Sequence, residues 1–242
     1  MPEQPGAPAR LGTPRLHLRC CDSTNERARA LALTGAPHGA LVSADEQTAG
    51  RGRQGRSWLA PARTSLLCSL VLHLSELAHQ PSLLPLTAGV SLCDAIGSEA
   101  RLKWPNDVVL GDGLTKLAGI LVEGRPQQGW AIVGIGVNVA VAPEQLPGEL
   151  RARAATLGRT PAAIEPLLAG VLAALAQWLR EPAQSVLERW RSLDALRGRE
   201  VGWDGGHGVA QGIDGDGRLL VRLQDGDTVA LSAGDVHLSA AG

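Results

Sequence analysis

The 242-residue chain has no phenylalanine and no tyrosine, and six tryptophans are its whole aromatic stock. Base-stacking surfaces for single-stranded nucleic acid need several rings close together, so an RNA-binding module has little to build on. Net charge is −1, from 23 Lys+Arg against 24 Asp+Glu, which excludes a bulk basic face for polyanions and an acidic tail. No apolar run reaches the roughly 18 residues of a membrane helix. The opening MPEQPGAPAR lacks the charged-then-apolar pattern of a signal peptide, so a cytoplasmic protein is expected. Cys20, Cys21, Cys68 and Cys93 show no C-x-x-C spacing, which argues against a zinc or dithiol centre and for reduced thiols in packing roles. A Walker A loop is absent, and Gly134-Ile135-Gly136 lacks the third glycine of the dinucleotide fingerprint. Lysine is the scarcest cation: only Lys103 and Lys116 occur. Two retained primary amines in an arginine-rich chain are candidates for ammonium chemistry, although chance explains the scarcity equally well.

What is present suits a folded domain with a companion. Hydrophobic residues make up 44%, enough for a core. Residues 1–13 read as a loose leader of Pro, Gly and Ala. A strand through Leu16 and Leu18 then meets Asp22-Ser23-Thr24-Asn25, which suits a helix start, and a helix runs to Leu33. Apolar strands follow at Gly39–Ala44 and Ser65–Leu74, a helix at Ser82–Ile96, and three strands at Arg101–Leu110, Leu117–Glu123 and Trp130–Val141. The short turns between those three require antiparallel pairing. Residues 162–179 carry a helical apolar stripe, and Pro182 separates it from a second helix to about Leu196. From Arg197 onward, five short alternating segments between Gly/Asp turns read as a small all-β module.

Four segments bear chemistry. Gly50-Arg51-Gly52-Arg53-Gln54-Gly55-Arg56-Ser57-Trp58 is a loop whose backbone can approach a ligand while guanidinium forks clamp carboxylate or phosphate oxygens; a solvated basic loop is the plainer reading. Lys103-Trp104-Pro105-Asn106-Asp107 packs an amide and a carboxylate among apolar neighbours, as a nucleotide or Mg²⁺ site at a bulge or as an ordinary turn. Lys116 opens a strand floored by Gly119, where its amine faces a pocket or serves as an edge charge. Asn138 ends the apolar run Gly134-Ile135-Gly136-Val137, and either satisfies backbone or reads a ligand.

In this order, these segments resemble the biotin protein ligases, together with Asp22-Ser23-Thr24-Asn25, Gln47-Thr48-Ala49 and Lys116-Leu117-Ala118-Gly119-Ile120-Leu121-Val122-Glu123. The resemblance covers nearly everything after residue 15. It implies an α+β fold: a mixed, largely antiparallel sheet flanked by helices, of the class II synthetase and biotin ligase type, over 14–196, followed by an SH3-like β-barrel over 197–242. It further implies ATP-dependent formation of biotinyl-5′-AMP with release of pyrophosphate, then transfer to a lysine of the biotin carboxyl carrier protein of acetyl-CoA carboxylase or a related carboxylase.

By that resemblance, Ser23, Thr24, Asn25, Gln47, Arg51, Gly52, Arg53, Lys116 and Gly119 bind biotin. Arg53, Arg56, Trp58, Lys103, Asn106, Asp107 and Asn138 face ATP, with Trp58 stacked on adenine and Asp107 toward Mg²⁺. Lys116, Arg51 and Arg53 form the catalytic group. Leu67 stands where the family commonly has an aromatic. The short segment before the first strand implies a ligase without the DNA-binding domain of bifunctional members. A homodimer through a sheet edge is left open. Lipoate or octanoate ligases and transferases are the alternative within the superfamily, but lack the paired Gly/Arg and Lys-Trp-Pro-Asn-Asp motifs; a non-enzymatic RNA-binding module is the weaker one. Removing the C-terminal module is expected to harm transfer to the carrier more than stability.

Overall fold

The computed structural model describes residues 10–232 and 236–238. Seven strands form the main sheet: β1 (Arg15–Leu18), β2 (Leu41–Ala44), β3 (Ser65–His73), β4 (Arg101–Lys103), β5 (Asp107–Leu110), β6 (Thr115–Arg125) and β7 (Trp130–Asn138). Their spatial order is β1-β2-β3-β7-β6-β5-β4. Only β1 and β2 run parallel, because helix α1 (Thr24–Leu33) provides the crossover between them. The other neighbours are antiparallel; β3 pairs with β7 from Ser65↔Asn138 to His73↔Trp130.

Both long central strands are apolar on both faces because both faces are covered. On one, Val42, Val71 and Ile132 meet Ala28 and Ala32 of α1, small residues that let the helix lie close. On the other, Leu41, Leu70 and Val133 pack beneath α2 (Leu84–Ile96), α4 (Ile164–Trp178) and α5 (Ala183–Ser192). Cys68 and Cys93 lie in this core, and burial pushes both thiols up to about 12. All four cysteines are unpaired, as the spacing implied. The short helix α3 (Gly148–Arg151) sits in the connection after β7.

Several sequence expectations are corrected. The single strand over Arg101–Leu110 is a hairpin: β4 and β5 pair with Lys103 opposite Asp107, and Trp104-Pro105-Asn106 makes the turn. Pro105 has no N–H to give a ladder, so the strand turns there. Of the expected leader, residues 1–9 lie outside the described residues, whereas Leu11 is buried and Gly12 N donates to Gly39 O at 2.8 Å, so these two belong to the folded part. Helix α5 stops at Ser192; the next residues pair with β4, through Leu102 N to Leu193 O and Ala195 N to Leu102 O, both 2.8 Å. One helical segment, Pro161–Trp178, is after all long and apolar enough by composition to cross a membrane. It buries Leu167, Leu168, Val171 and Leu175 in the core.

The second sheet begins at Glu200. Strands β8 (Glu200–Trp203), β9 (Gly206–Ile213), β10 (Leu219–Arg222), β11 (Thr228–Leu231) and β12 (His237–Leu238) follow the order β11-β10-β9-β8-β12, all antiparallel. Its interior does not form a separate core. Val201, Ala210, Ile213, Leu219, Val221 and Val236 join the same buried cluster as Leu83 and Leu86. Trp104 Nε1 donates to Gly217 O at 3.0 Å, and Arg191 Nε to Ile213 O at 3.1 Å. Asp194 lies half-buried at this junction, and desolvation raises its carboxyl above the usual range.

Candidate active site

A cavity of about 830 Å³ opens over the main sheet, within the range of small-molecule sites. Every site residue named from the sequence lines it. The floor is where β6 and β7 pair Gly119 with Gly136. The Trp58 indole lies on both: a Cβ at Gly136 would stand 2.6 Å from Trp58 Cε2, and one at Gly119 would stand 3.1 Å from Trp58 Cζ3. Side chains at either position would lift the ring. Trp58 Nε1 is buried without a hydrogen-bond partner among the described residues.

One end of the cavity is neutral and rich in hydrogen-bonding groups. Thr24 N and Thr24 Oγ1 both donate to Gln47 Oε1, at 2.7 and 3.0 Å. Ser69 Oγ donates to Asn25 Oδ1 at 2.6 Å and lies 2.8 Å from Thr24 Oγ1. Asn25 Nδ2 donates to Glu123 Oε2 at 2.8 Å. Room for this amide exists because β7 carries glycine beneath it: a Cβ at Gly134 would stand 2.0 Å from Asn25 Oδ1. Gly134→Ala is therefore expected to displace Asn25 and to lower stability by about 1–3 kcal/mol, the scale of overpacking, seen as a lower urea midpoint. An unchanged midpoint would show that Asn25 gives up these bonds without loss.

The Gly/Arg loop is a small hairpin. Trp58 N donates to Gly50 O at 2.9 Å and Gly52 N to Arg56 O at 2.6 Å. A Cβ at Gly50 would meet Trp58 O at 2.4 Å, so glycine alone permits the strands to close. The tip turns through Gln54 and Gly55, both left-handed at φ 55° and 74°. Its arginines diverge. Arg53 Nη1 reaches Asn106 Oδ1 at 3.2 Å, tying loop to hairpin. Arg56 leans on Arg53 O and Gln54 Oε1, each at 3.4 Å. Arg51, which the resemblance placed among the catalytic groups, has its guanidinium between two carboxylates, Glu26 and Glu123.

The other end carries charge. Among the described residues, Arg53, Arg56, Lys103, Lys116 and Arg153 line it against one carboxylate, Asp107, while Arg51 lines the cavity from the other side with its charge met by Glu26 and Glu123. Lys116 Nζ pairs with Asp107 Oδ1 at 2.7 Å and stands 5.8 Å from the centroid of the Trp58 ring. Asn106 is fixed by mutual bonds with Ile120, N to O at 2.9 Å and Nδ2 to O at 2.8 Å. Such preorganised cations suit an anion that gathers charge.

Sequence reasoning missed one wall. Residues 146–154 close the charged end: Lys116 N donates to Arg153 O at 2.7 Å, Ala155 N to Lys116 O at 2.8 Å, and Leu146 and Leu150 face the cavity. Asn138 Nδ2 donates to Ala155 O at 2.9 Å, so its amide serves backbone, one of the two readings left open. Leu146 and Leu150, four apart around α3, were the only signal, and too short a pattern to stand out. Val236, His237 and Leu238 of the second sheet complete the rim.

A family model described as biotin/lipoate A/B protein ligase matches residues 17–139, and one described as the biotin protein ligase C-terminal domain matches residues 197–239. A biotin–[acetyl-CoA-carboxylase] ligase of Mycobacterium tuberculosis is 37% identical over 234 residues, covering 89% of this chain and 86% of its own length. One of Paracoccus denitrificans is 35% identical, covering 88% and 95%. Among solved structures, the biotin protein ligase of Aquifex aeolicus in complex with biotin and ATP superposes with a TM-score of 0.79 at 29% identity, over 95% of this chain and all of that one. Its apo structure gives 0.72 at 26% identity, covering 93% and 98%. Matches along both segments, at nearly full length on each side, place this chain in the biotin protein ligase family.

Proposed function

We propose that the chain activates biotin with ATP and passes it to a lysine of a biotin carboxyl carrier protein. The observation that carries this is the junction of the cavity's two ends at Lys116: hydroxyls and amides on one side, clustered cations on the other. Thr24, Asn25 and Gln47, with Ser23 beside them, match the donors and acceptors of a ureido ring. Lipoate and octanoate offer no such groups, which favours biotin over the other acids of this superfamily.

In the first step a carboxylate oxygen of biotin attacks the α-phosphorus of ATP, the P–O bond to the β-phosphate breaks, and pyrophosphate leaves. Two anions must meet, so the ammonium of Lys116 sits between them while Arg53 and Arg56 face the phosphates. The unpartnered Trp58 N–H is a donor held ready on the glycine floor, beside the nucleotide. In the second step the carrier's amine attacks the acyl carbon of the mixed anhydride and AMP leaves.

The described residues hold no group of three or more His, Cys, Asp or Glu fit to cage a metal ion. Asp107 offers one carboxylate, which suits Mg²⁺ arriving on the polyphosphate with its own waters; bound there, the ion would neutralise phosphate charge. Dependence on ATP fits the cytoplasmic setting that we propose for it. We keep the division into a catalytic part ending near residue 196 and a β-barrel part from residue 197, with the carrier of acetyl-CoA carboxylase or a relative as acceptor.

The test is ATP/pyrophosphate exchange with Mg²⁺ in the presence of biotin, lipoate or octanoate. Exchange with biotin alone is the expected result. Exchange confined to lipoate or octanoate would keep the chemistry and reject the acid, and no exchange with any of them would reject the proposal.

A further inference from the structure

We infer that Glu123 is a positioning residue that couples the ring end of the cavity to closure of the Gly/Arg loop, with Arg51 as the loop's latch. The inference rests on the biotin-activating reading for its ligand, but not for its geometry. Glu123 uses its two oxygens in different directions. Oε1 accepts from Arg51 Nη2 of the loop at 2.8 Å, and Oε2 accepts from Asn25 Nδ2 at the start of α1 at 2.8 Å. The other arm of Arg51 reaches Glu26, also on α1. Asn25 Oδ1 accepts from Ser69 Oγ, and Asn25 Nδ2 also reaches Leu121 O at 3.4 Å, so the amide is held in one orientation by one donor and two acceptors, of which Glu123 is the nearer.

One carboxylate thus sits between the group that faces the ring and the group that holds the loop shut. Arginine suits this, because its planar fork presents donors in fixed directions to carboxylates on two elements, whereas an ammonium is a compact point of charge on a flexible stem. Arg51 and Glu123 are partly exposed, at 42% and 29%. Partly solvated pairs add little to global stability, so the effect falls on the loop's population of open states and on ring affinity. It also explains why the first arginine of the loop faces away from the cationic end while Arg53 and Arg56 remain near it.

Glu123→Gln separates the two jobs: the amide oxygen still accepts from Asn25 Nδ2, but the charge toward Arg51 is gone. The experiment uses the full chain and trypsin, which cleaves after the loop arginines, followed by mass spectrometry without ligand and with biotin. Without ligand, Glu123→Gln is expected to speed cleavage after Arg53 and Arg56 by roughly fivefold, the scale of losing one partly exposed charge pair. In pyrophosphate exchange it is expected to raise the KM for biotin by about tenfold with a smaller change in kcat, as lost binding rather than lost chemistry requires. Arg51→Lys, at a more exposed position, is the second variant and should show the same faster cleavage. Unchanged cleavage in both variants would overturn the latch; a fall in kcat with KM unchanged would overturn the positioning role. Faster cleavage in a protein whose parent shows no biotin-dependent exchange would keep the latch and reject biotin as its ligand.

Discussion

Lys116→Ala should lower biotin-dependent ATP/pyrophosphate exchange by roughly 100-fold or more, the scale of removing one preorganised charge-stabilising group, while the protein stays folded. The side chain is 39% exposed, and the backbone bonds of Lys116 to Arg153 and Ala155 do not need it. Stability should therefore change little. Chemistry should suffer twice. On the proposed mechanism, attack loses the ammonium between carboxylate and phosphate, and Asp107, released from its partner, places an unpaired negative charge where phosphates would enter. Exchange rates compared with thermal unfolding of the same preparation decide the matter. A near-normal rate would remove Lys116 from the catalytic group, and a collapsed melting temperature would make it structural.

Deleting residues 197–242 should abolish the folded state rather than trim one step of the reaction. Val201, Ala210, Ile213, Leu219, Val221 and Val236 are each at most 4% exposed within the shared core. At roughly 1.5–3 kcal/mol for each buried apolar side chain, and less for Ala210, their loss approaches the whole net stability of about 5–15 kcal/mol that a domain commonly has. Leu83 and Leu86 would face water, and Trp104, only 3% exposed, would lose the carbonyl that its indole N–H meets in Gly217. Circular dichroism and urea titration of the 1–196 chain provide the check: a cooperative transition near that of the full chain would show that the two sheets stand alone after all. This reverses the expectation drawn from sequence, in which alternating strands between Gly/Asp turns looked like a detachable module.

That reversal shows where the sequence was legible. Period-two and period-3.6 patterns identified almost every strand and helix, since they report which face is buried. They carry no information on which core a buried face joins, so Val201 and Leu86 could not be matched. The motif residues converge on one cavity because glycine spacing records contact: Gly119, Gly134 and Gly136 are where Trp58 and Asn25 need the space of a missing Cβ. At Trp104-Pro105-Asn106 the turn was one of the two readings kept open, but its apolar neighbours continued the strand pattern through it, so the split into β4 and β5 was missed. Sequence grouped Arg51 with Arg53 around biotin and the reacting atoms; only the fold, which lays α1 over β2, β3 and β7, brings Glu26 and Glu123 to it. The wall around Leu146 and Leu150 is held by backbone bonds to Lys116, which any sequence can make and none announces.

Strand β6 has one more consequence. It pairs with β5 over Thr115–Gly119 and with β7 over Ala118–Arg125, and carries Lys116 near one end and Glu123 near the other. At about 3.3 Å per residue, the sheet fixes the spacing of these two groups as a ruler fixes its marks. On the proposed function, the length of the acid's tail would be measured against this backbone, and a ring seated beside Asn25 would present its carboxylate to the ammonium only when the chain between them had the right number of carbons.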